Sequence, residues 1–202
     1  MAMAFSEITF TPSVKAAQLL YGSREKNSRF ETATEVRNEL TAMEALFISQ
    51  RDSFYQATVS ENAWPYVQHR GGPVGFLKVL DQQTLGFADF RGNLQYLSVG
   101  NLNANKRISL ILMDYAQGRR LKIWGNVDIV HESDNPDLIK LLEMPAYRAR
   151  VERGFIIHVQ AYDWNCPQHI SPRFSQAEVA QQMAPLLEEI QALRLKIQAL
   201  EK

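Results

Sequence analysis

The 202-residue chain has one cysteine, Cys166, so it cannot form a disulfide bond within itself. Chains without internal disulfides are typical of reducing compartments. Charge of one sign is not in excess either, because 22 lysines and arginines balance 22 aspartates and glutamates. A neutral chain gives no general support for binding to nucleic acid or to an anionic membrane surface. We therefore expect no nucleic-acid partner and no membrane partner.

Long apolar runs are also missing. No uncharged apolar stretch approaches the roughly 20 residues that a membrane-spanning helix needs. The first ten residues carry Glu7 and lack a basic segment followed by an apolar one, so the sequence predicts no signal peptide. Together these features favour a cytoplasmic protein. Hydrophobic residues make up 46% of the chain, which indicates a folded domain with a sizeable core rather than a disordered chain.

Helical patterns occupy the first 50 residues. Thr11 and Pro12 have the form of an N-cap followed by proline at the first helical position, which predicts a short helix that ends near Gly22. Thr32 and Glu35 have the spacing of a capping box, which predicts a second helix running to about residue 48. We expect residues 1–50 to form a helical segment packed on the domain that follows.

The middle of the chain changes to short strands at hairpin spacing. Alternating and β-branched runs predict strands over residues 54–59, 66–69, 74–80, 84–88, 107–113, 121–130 and 155–162, with short helices over 96–105 and 136–143. Six or seven strands at such intervals favour an antiparallel barrel, which we place over residues 51–174. A Rossmann sheet is disfavoured because a G-x-G-x-x-G motif after a strand is missing.

The last segment, residues 175–202, has the pattern of a long amphipathic helix. Ser175 and Glu178 have capping-box spacing. Apolar residues from Met183 to Leu200 then alternate at intervals of three and four, which is the a/d pattern of a coiled coil. Such a seam packs either on its own barrel or on the helix of a second copy, and the sequence leaves both alternatives open.

Three clusters of residues could bind a ligand. In the first, residues 68–78, a strand ends at Arg70, glycines and a proline follow, and a second strand carries Lys78. Glycine lets backbone amides approach a ligand closely, and arginine and lysine are the side chains that bind phosphate. In isolation the Gly-Gly-Pro sequence is more typical of a simple turn than of a ligand-binding segment.

The other two clusters are richer in polar groups. Residues 86–101 leave a strand through a loop of amide, hydroxyl and basic side chains and lead into a short helix, whose N-terminal amides could hold an anion. Residues 163–174 combine a tryptophan, two amides, a thiol, an imidazole and a guanidinium, and two prolines stiffen the segment. This composition is more typical of a preorganised site than of a linker.

Together the clusters resemble the pyridoxamine 5′-phosphate oxidase-like family of FMN-binding split barrels. The motifs that carry the resemblance are Arg-Gly-Gly-Pro, Gly-Phe-Ala-Asp-Phe-x-Gly-Asn-x-Gln-Tyr and Trp-Asn-Cys-Pro-Gln-His-Ile-x-Pro-Arg, and they cover about residues 40–175. The resemblance implies a mainly β protein with flanking helices, built on a six-stranded antiparallel split barrel with a long C-terminal helix. It also implies a homodimer with FMN at the subunit interface and an oxidoreductase activity on an unknown substrate.

The resemblance further implies which residues contact the flavin. The candidates are Arg70, Gly72, Pro73, Val74, Lys78, Asp89, Phe90, Asn93, Gln95, Tyr96, Ser98, Arg120, Trp164, Asn165, Gln168 and Arg173. Asn93, Gln95, Tyr96 and Ser98 fall where the family has phosphate ligands, and Arg70 and Lys78 are candidates for phosphate or ring contacts. Arg120 falls where the oxidases have a flavin-contacting glutamine. Trp164 and Arg173 would come from the partner subunit. Arg120 and Arg173 are the candidates for stabilising the reduced flavin.

The chain departs from the family pattern at the phosphate loop. Where the oxidases have Ser-Arg-Lys it has Asn93-Leu94-Gln95, and Leu94 stands where related flavoproteins carry arginine. More of the positive charge is thus left to Arg70, Lys78 and Arg91. The late motif also lacks the Arg-x-His arrangement with which the oxidases hold their vitamin substrate, so oxidation of pyridoxamine phosphate is disfavoured.

Other chemistries have weaker support. Cys166 and His169 could supply two zinc ligands, but a structural zinc site needs four, so we predict no metal. Cys166 could be a redox thiol near the flavin or could simply pack beside its neighbouring proline. The main alternative is a non-catalytic flavin-binding or haem-binding module that acts as a store or sensor, with His69, His158 or His169 as the haem ligand. A pure interaction protein that dimerises through its terminal helix remains a further alternative.

Overall fold

The computed structural model of the chain describes residues 2–164 and 168–200. The helices in this part are α1 (Ala4–Thr9), α2 (Pro12–Leu20), α3 (Arg24–Ser28), α4 (Ala42–Ser49), α5 (Leu97–Ala104), α6 (Pro136–Leu142) and α7 (Gln176–Leu200), with a 3-10 turn at Arg29–Glu31. The strands are β1 (Ser53–Val59), β2 (Pro65–Gly71), β3 (Lys78–Val79), β4 (Thr84–Phe90), β5 (Arg107–Asp114), β6 (Arg119–Val130) and β7 (Val151–Trp164).

The chain divides into two compact units. Residues 1–113 and 120–166 form the first unit, which holds most of the sheet, and residues 114–119 and 167–202 form the second, which contains α7. None of the helices in the described part of the chain is both long and apolar enough to cross a lipid bilayer.

The strands form a sheet in the order β2-β1-β5-β6-β7-β4-β3, with antiparallel pairing between β1 and its two neighbours and between β7 and its two neighbours. The predicted fold class, mainly β and antiparallel with flanking helices, is confirmed. The sheet has seven strands in the described residues where the barrel prediction had six, because the two-residue strand β3 pairs with β4 at its edge.

The two ends of this sheet approach one another through aromatic side chains. Phe54 of β1 and Phe87 of β4 lie 5.3 Å apart between ring centroids, although β1 and β4 are each second from an end of the sheet. Phe76 stacks on Phe54 at 5.5 Å, and Phe155 of β7 lies 5.0 Å from Phe87. All four rings are fully buried, so they form the centre of the core around which the sheet curls.

The strand predicted over residues 74–80 is wrong for most of its length. The amide of Gly72 donates to the carbonyl of Asp52, and that of Gly75 donates to the carbonyl of Arg51. These amides are directed to the segment before β1 instead of to a neighbouring strand, so only Lys78 and Val79 join the sheet. Gly72 is required here, since a Cβ atom would lie 2.7 Å from the Phe76 ring.

The helix predicted to begin at Thr32 begins instead at Ala42. Thr41 and Glu44 form the capping box that starts α4. The carbonyl of Val36 accepts a hydrogen bond from the amide of Ala4, and Arg37 has a positive φ of 59°. Both features are incompatible with a continuous helix, because they direct the backbone towards α1.

Glu44 also joins α4 to the end of β7. Glu44 is 1% exposed, and its carboxylate accepts hydrogen bonds from the hydroxyl and the backbone amide of Thr41 and from Nε1 of Trp164, the last at 2.7 Å. Burial raises the pKa of Glu44, but these hydrogen bonds outweigh it and hold the pKa below its ordinary value. Burial, with a contribution from the Glu44 charge, raises the pKa of the neighbouring Tyr162 to about 12.

We predict that Glu44→Gln lowers the free energy of unfolding by about 1–2 kcal/mol at neutral pH, because hydrogen bonds to a charged acceptor are lost. A lowered carboxyl pKa stabilises the fold above the pKa of the unfolded state, and this stabilisation is lost as pH falls through the pKa of the folded state. The difference between wild type and variant should therefore shrink below the ordinary glutamate pKa. Urea titrations at a series of pH values measure it, and the exposed Glu61→Gln is the control.

We predict that Gly125→Ala destabilises the sheet by about 1–3 kcal/mol, since overpacking forces the backbone to shift. Gly125 lies where the register between β6 and β7 shifts, and its added Cβ would meet the His158 carbonyl oxygen at 2.8 Å. Gly100→Ala is the matched control. Nothing lies within 4 Å of its Cβ position in α5, so alanine there should raise stability by about 0.5–1 kcal/mol. Equal urea midpoints for the two variants would contradict this account.

Candidate functional site

A cavity of about 230 Å³ lies beside β2 and the end of β4. Its walls come from β2, from the end of β4 and the loop after it, from the first turn of α5 and from the start of β7. The lining residues are Tyr66, Gln68, Arg70, Asp89, Phe90, Gly92, Asn93, Leu94, Gln95, Tyr96, Leu97, Ser98, Val99 and Glu152.

An ion pair between β2 and β4 forms the inner wall of this cavity. A terminal guanidinium nitrogen of Arg70 lies 2.6 Å from Oδ1 of Asp89, and Nε of Arg153 lies 3.4 Å from Oδ2. Asp89 is 5% exposed, and the Arg70 guanidinium lies over the core rings of Phe87 and Phe155. Since β2 and β4 are not neighbours in the sheet, this contact joins strands from its opposite ends.

Burial and charge act in opposite directions on this pair. Burial raises the pKa of Asp89, while the nearby charges of Arg70 and Arg153 oppose the rise. Burial likewise lowers the pKa of Arg70, and Asp89 opposes that change. A guanidinium stays protonated at neutral pH even when it is buried. Nε of Arg70 is buried and has no hydrogen-bond partner among the described residues, so the pairing with Asp89 leaves a donor of Arg70 unused.

The loop after β4 presents the start of α5 to the cavity. Leu94 and Tyr96 have φ values of 64° and 51°, in the left-handed region that few non-glycine residues adopt. Tyr96 immediately precedes α5, and no side chain caps the helix. Leu97–Val99, the first turn, lines the cavity. An uncapped first turn has backbone N–H groups without helical partners, which makes it suitable for an anion.

Side-chain contacts fix this loop against the strands. Oγ of Ser98 donates to Oε1 of Gln68 at 2.8 Å, which ties α5 to β2. The Tyr96 hydroxyl donates to Glu152 at 3.2 Å, and the Arg153 guanidinium lies 4.9 Å from the centre of the Tyr96 ring. The first turn of α5 is therefore held in place on two sides of the cavity.

The sequence profile of the family described as pyridoxamine 5′-phosphate oxidase matches residues 40–155, more than half of the chain. The chain belongs to the pyridoxamine 5′-phosphate oxidase family. The profile includes β1 to β6 and the first strand residues of β7, and so all the residues that line the cavity. The family resemblance predicted from the motifs is confirmed.

Solved structures agree on the fold. HupZ from Group A Streptococcus is 17% identical, with a TM-score of 0.51 over 67% of this chain and 99% of that chain. An FMN-binding protein from Syntrophomonas wolfei subsp. wolfei is 15% identical, with a TM-score of 0.46 over 76% of this chain and 95% of that one. No curated protein sequence matches the chain. The family profile and the similarity to HupZ together show that the chain has the split-barrel fold.

The structure brings together seven of the residues predicted to contact the flavin. Those that line the cavity are Arg70, Asp89, Phe90, Asn93, Gln95, Tyr96 and Ser98. They come from two of the three clusters, residues 68–78 and residues 86–101. Oδ1 of Asn93 accepts from the backbone N–H of Gln95 at 3.2 Å, and Nδ2 of Asn93 donates to Oε1 of Gln95 at 3.2 Å, so these two side chains shape the loop that they belong to.

Four predicted residues of the first motif do not line the cavity. Gly72, Pro73 and Val74 form the turn that leads from β2 to Phe76, where the Phe76 amide donates to the Pro73 carbonyl. Lys78 lies in β3 opposite Gly86 of β4. The positive charge at this cavity wall therefore comes from Arg70 and not from the lysine.

The residues predicted from the later part of the chain do not line the cavity either. Trp164 donates to Glu44 and meets the Phe47 ring at 4.7 Å, and Arg120 has a buried Nε without a hydrogen-bond partner among the described residues. In the second unit, Arg173 lies 5.2 Å from the Tyr115 ring, and Gln168 is exposed. Asn165 and Cys166 lie outside the described residues.

Several residues of the cavity are absent from the prediction. Tyr66 and Gln68 alternate with Arg70 along β2, so the two-residue period of a strand could have placed all three on one face. Glu152 and Arg153, by contrast, reach the site from β7, more than 50 residues after the loop they contact. Their sequence carries no local signal of that contact.

We predict that Asp89→Asn lowers the free energy of unfolding by about 3 kcal/mol or more, because it leaves buried guanidinium groups without a counter-charge. The matched control is Asp128→Asn, whose carboxylate pairs with Lys106 on the surface, where removal should cost less than about 1 kcal/mol. Urea denaturation of both variants measures the two losses. Equal losses would contradict the role given to the buried pair.

Proposed function

We propose that the chain binds FMN in the cavity beside β2 and acts as an FMN-dependent oxidoreductase on a substrate still to be identified. The observation that carries the proposal is the uncapped first turn of α5, which lines a cavity together with the partly buried cation Arg70. A helix N-terminus and a guanidinium are both groups that bind phosphate. The family to which the chain belongs supports the same ligand.

The donor set fits the phosphate end of the cofactor. The side chains of Asn93 and Gln95 add amide groups to the backbone N–H groups of the first turn, and the Ser98 hydroxyl would turn from Gln68 to the phosphate. The acidic groups in the wall are already engaged, Asp89 with Arg70 and Glu152 with Arg153 at 2.6 Å. The family resemblance implies an arginine in related flavoproteins where this chain has Leu94, so the loop lacks that cation here.

The size of the cavity supports a dimeric site. About 230 Å³ is less than the roughly 300–1,000 Å³ of pockets that enclose a ligand of this size, so one chain would cover only part of FMN. Exposed apolar side chains on and between β1 and β2 suit a contact with a second copy, namely Tyr55, Val59, Trp64 and Val67. We infer a homodimer in which the partner supplies the remaining walls, with Trp164, Gln168 and Arg173 as candidates.

The cofactor itself would supply the hydride and electron chemistry. The residues of the chain would bind and orient it, with the first turn of α5 holding the phosphate and Arg70 fixing the wall beside it. Arg120 has an unused buried donor, which suits a contact with an electron-rich edge of a ring. The single cysteine favours a reducing compartment such as the cytoplasm as the place of action.

We predict that the purified protein binds FMN at one per chain and binds riboflavin, which lacks the phosphate, much more weakly. Absorbance after heat release identifies any cofactor that copurifies, and fluorescence titration of the stripped protein gives the two affinities. Turnover with NADH or NADPH and a panel of acceptors then separates an enzyme from a flavin store. A Soret band in place of flavin bands, or failure to bind added FMN, would overturn the proposal.

Leu94→Arg is the variant that tests the phosphate site. It restores a cation in a loop that lines the cavity, so it should tighten FMN about tenfold, as expected for one charge-assisted hydrogen bond, and leave riboflavin unchanged. The control is Leu20→Arg, which adds the same charge at an exposed position of α2, outside both the cavity lining and the proposed contact between copies. Tightening of riboflavin, or equal effects of both variants, would show that the phosphate does not lie beside this loop.

A further inference from the structure

The helix α7 has an apolar face that is exposed along its whole length. It spans 25 residues and none of them is buried. We define the α7 seam as Met183, Leu186, Ile190, Leu193, Ile197 and Leu200, whose exposed fractions range from 46% to 87%. Helices of globular proteins gain most of their stability from packing of one apolar face. The α7 seam therefore suits a partner of matching shape.

The spacing of the seam is that of a coiled coil. Intervals of three and four residues place Met183, Ile190 and Ile197 at position a of a heptad. They place Leu186, Leu193 and Leu200 at position d, and Val179 extends the d row by one heptad. Isoleucine at a combined with leucine at d favours two parallel strands over higher assemblies. Pro185 stands at position c, on the side of the helix away from the seam.

The charges that flank the seam agree with a second copy of the same helix in parallel orientation. Glu189 occupies position g and Arg194 occupies the following position e. In a parallel pair, position g of one helix faces position e of the next heptad in the other, so Glu189 would face Arg194 of the partner subunit.

We propose that α7 pairs with α7 of a second copy as a parallel two-stranded coiled coil. The pairing joins the second unit of two chains over about 37 Å of helix. It does not depend on flavin binding. A parallel pair brings the two Gln176 ends together, and with them the two Arg173 residues three positions earlier. An antiparallel pair would separate those ends by the full length of the helix.

Cysteine cross-linking of the full chain tests the contact. Leu193→Cys places a thiol at position d, where it faces its own copy in a parallel pair, and Leu195→Cys places one at the outward position f. Both leucines are exposed, at 49% and 62%, so neither change should affect folding. We expect a disulfide-linked dimer for Leu193→Cys only, on non-reducing gels and beyond the background that Cys166 gives in the wild type. Equal cross-linking of both variants, or none with Leu193→Cys, would overturn the proposal.

Charge reversal tests the orientation. In the Leu193→Cys chain, Glu189→Arg turns two attractive pairs of the dimer into repulsive ones, so covalent dimer should fall roughly fivefold. Adding Arg194→Glu makes the charges at positions 189 and 194 opposite again, so it should restore the yield of covalent dimer. Failure of the double change to restore it would exclude the parallel g-to-e pairing. The outcome is independent of FMN, since it is read from the covalent dimer alone.

Discussion

The contact of Arg70 with Asp89 determines where the split barrel closes. Backbone hydrogen bonds connect β2 to β1 and β4 to β7, but the strands at the two ends of the sheet meet through side chains. Burying a carboxylate and two guanidinium groups carries a desolvation cost that offsets much of their attraction. Their main effect is therefore on specificity. The carboxylate on β4 and the cation on β2 favour the alignment of these strands that pairs them, and the pair lines the inner wall of the cavity.

The strands were largely predictable because their pattern is local. Alternation along β1 and β2, and the apolar runs of β4, β6 and β7, are visible in the sequence, and the resemblance added the closed topology. The error at residues 74–80 came from a long-range cause. Val74 to Leu77 have apolar, strand-like composition, but Gly72 and Gly75 bond to residues that precede β1.

The start of α4 shows how two equivalent signals compete. Thr32 with Glu35 and Thr41 with Glu44 have the same capping-box spacing, and local sequence does not separate them. Packing distinguishes the two, because the Glu44 carboxylate also accepts a hydrogen bond from Trp164 at the end of β7, 120 residues away. The cavity follows the same rule. Its motif residues could be predicted as a loop and a strand, whereas the contribution of Glu152 depends on the fold.

The surroundings of Trp164 also matter for the intrinsic fluorescence of the protein. The chain has three tryptophans in three different surroundings. Trp64 is 72% exposed, Trp124 is stacked on Phe5, and Trp164 is bonded to a buried carboxylate. Water-exposed indoles emit at longer wavelengths than shielded ones. Replacing Trp64 by phenylalanine would leave emission from the two sites where helical segments dock on the sheet, so the fluorescence of that variant would follow the release of α1 and α4.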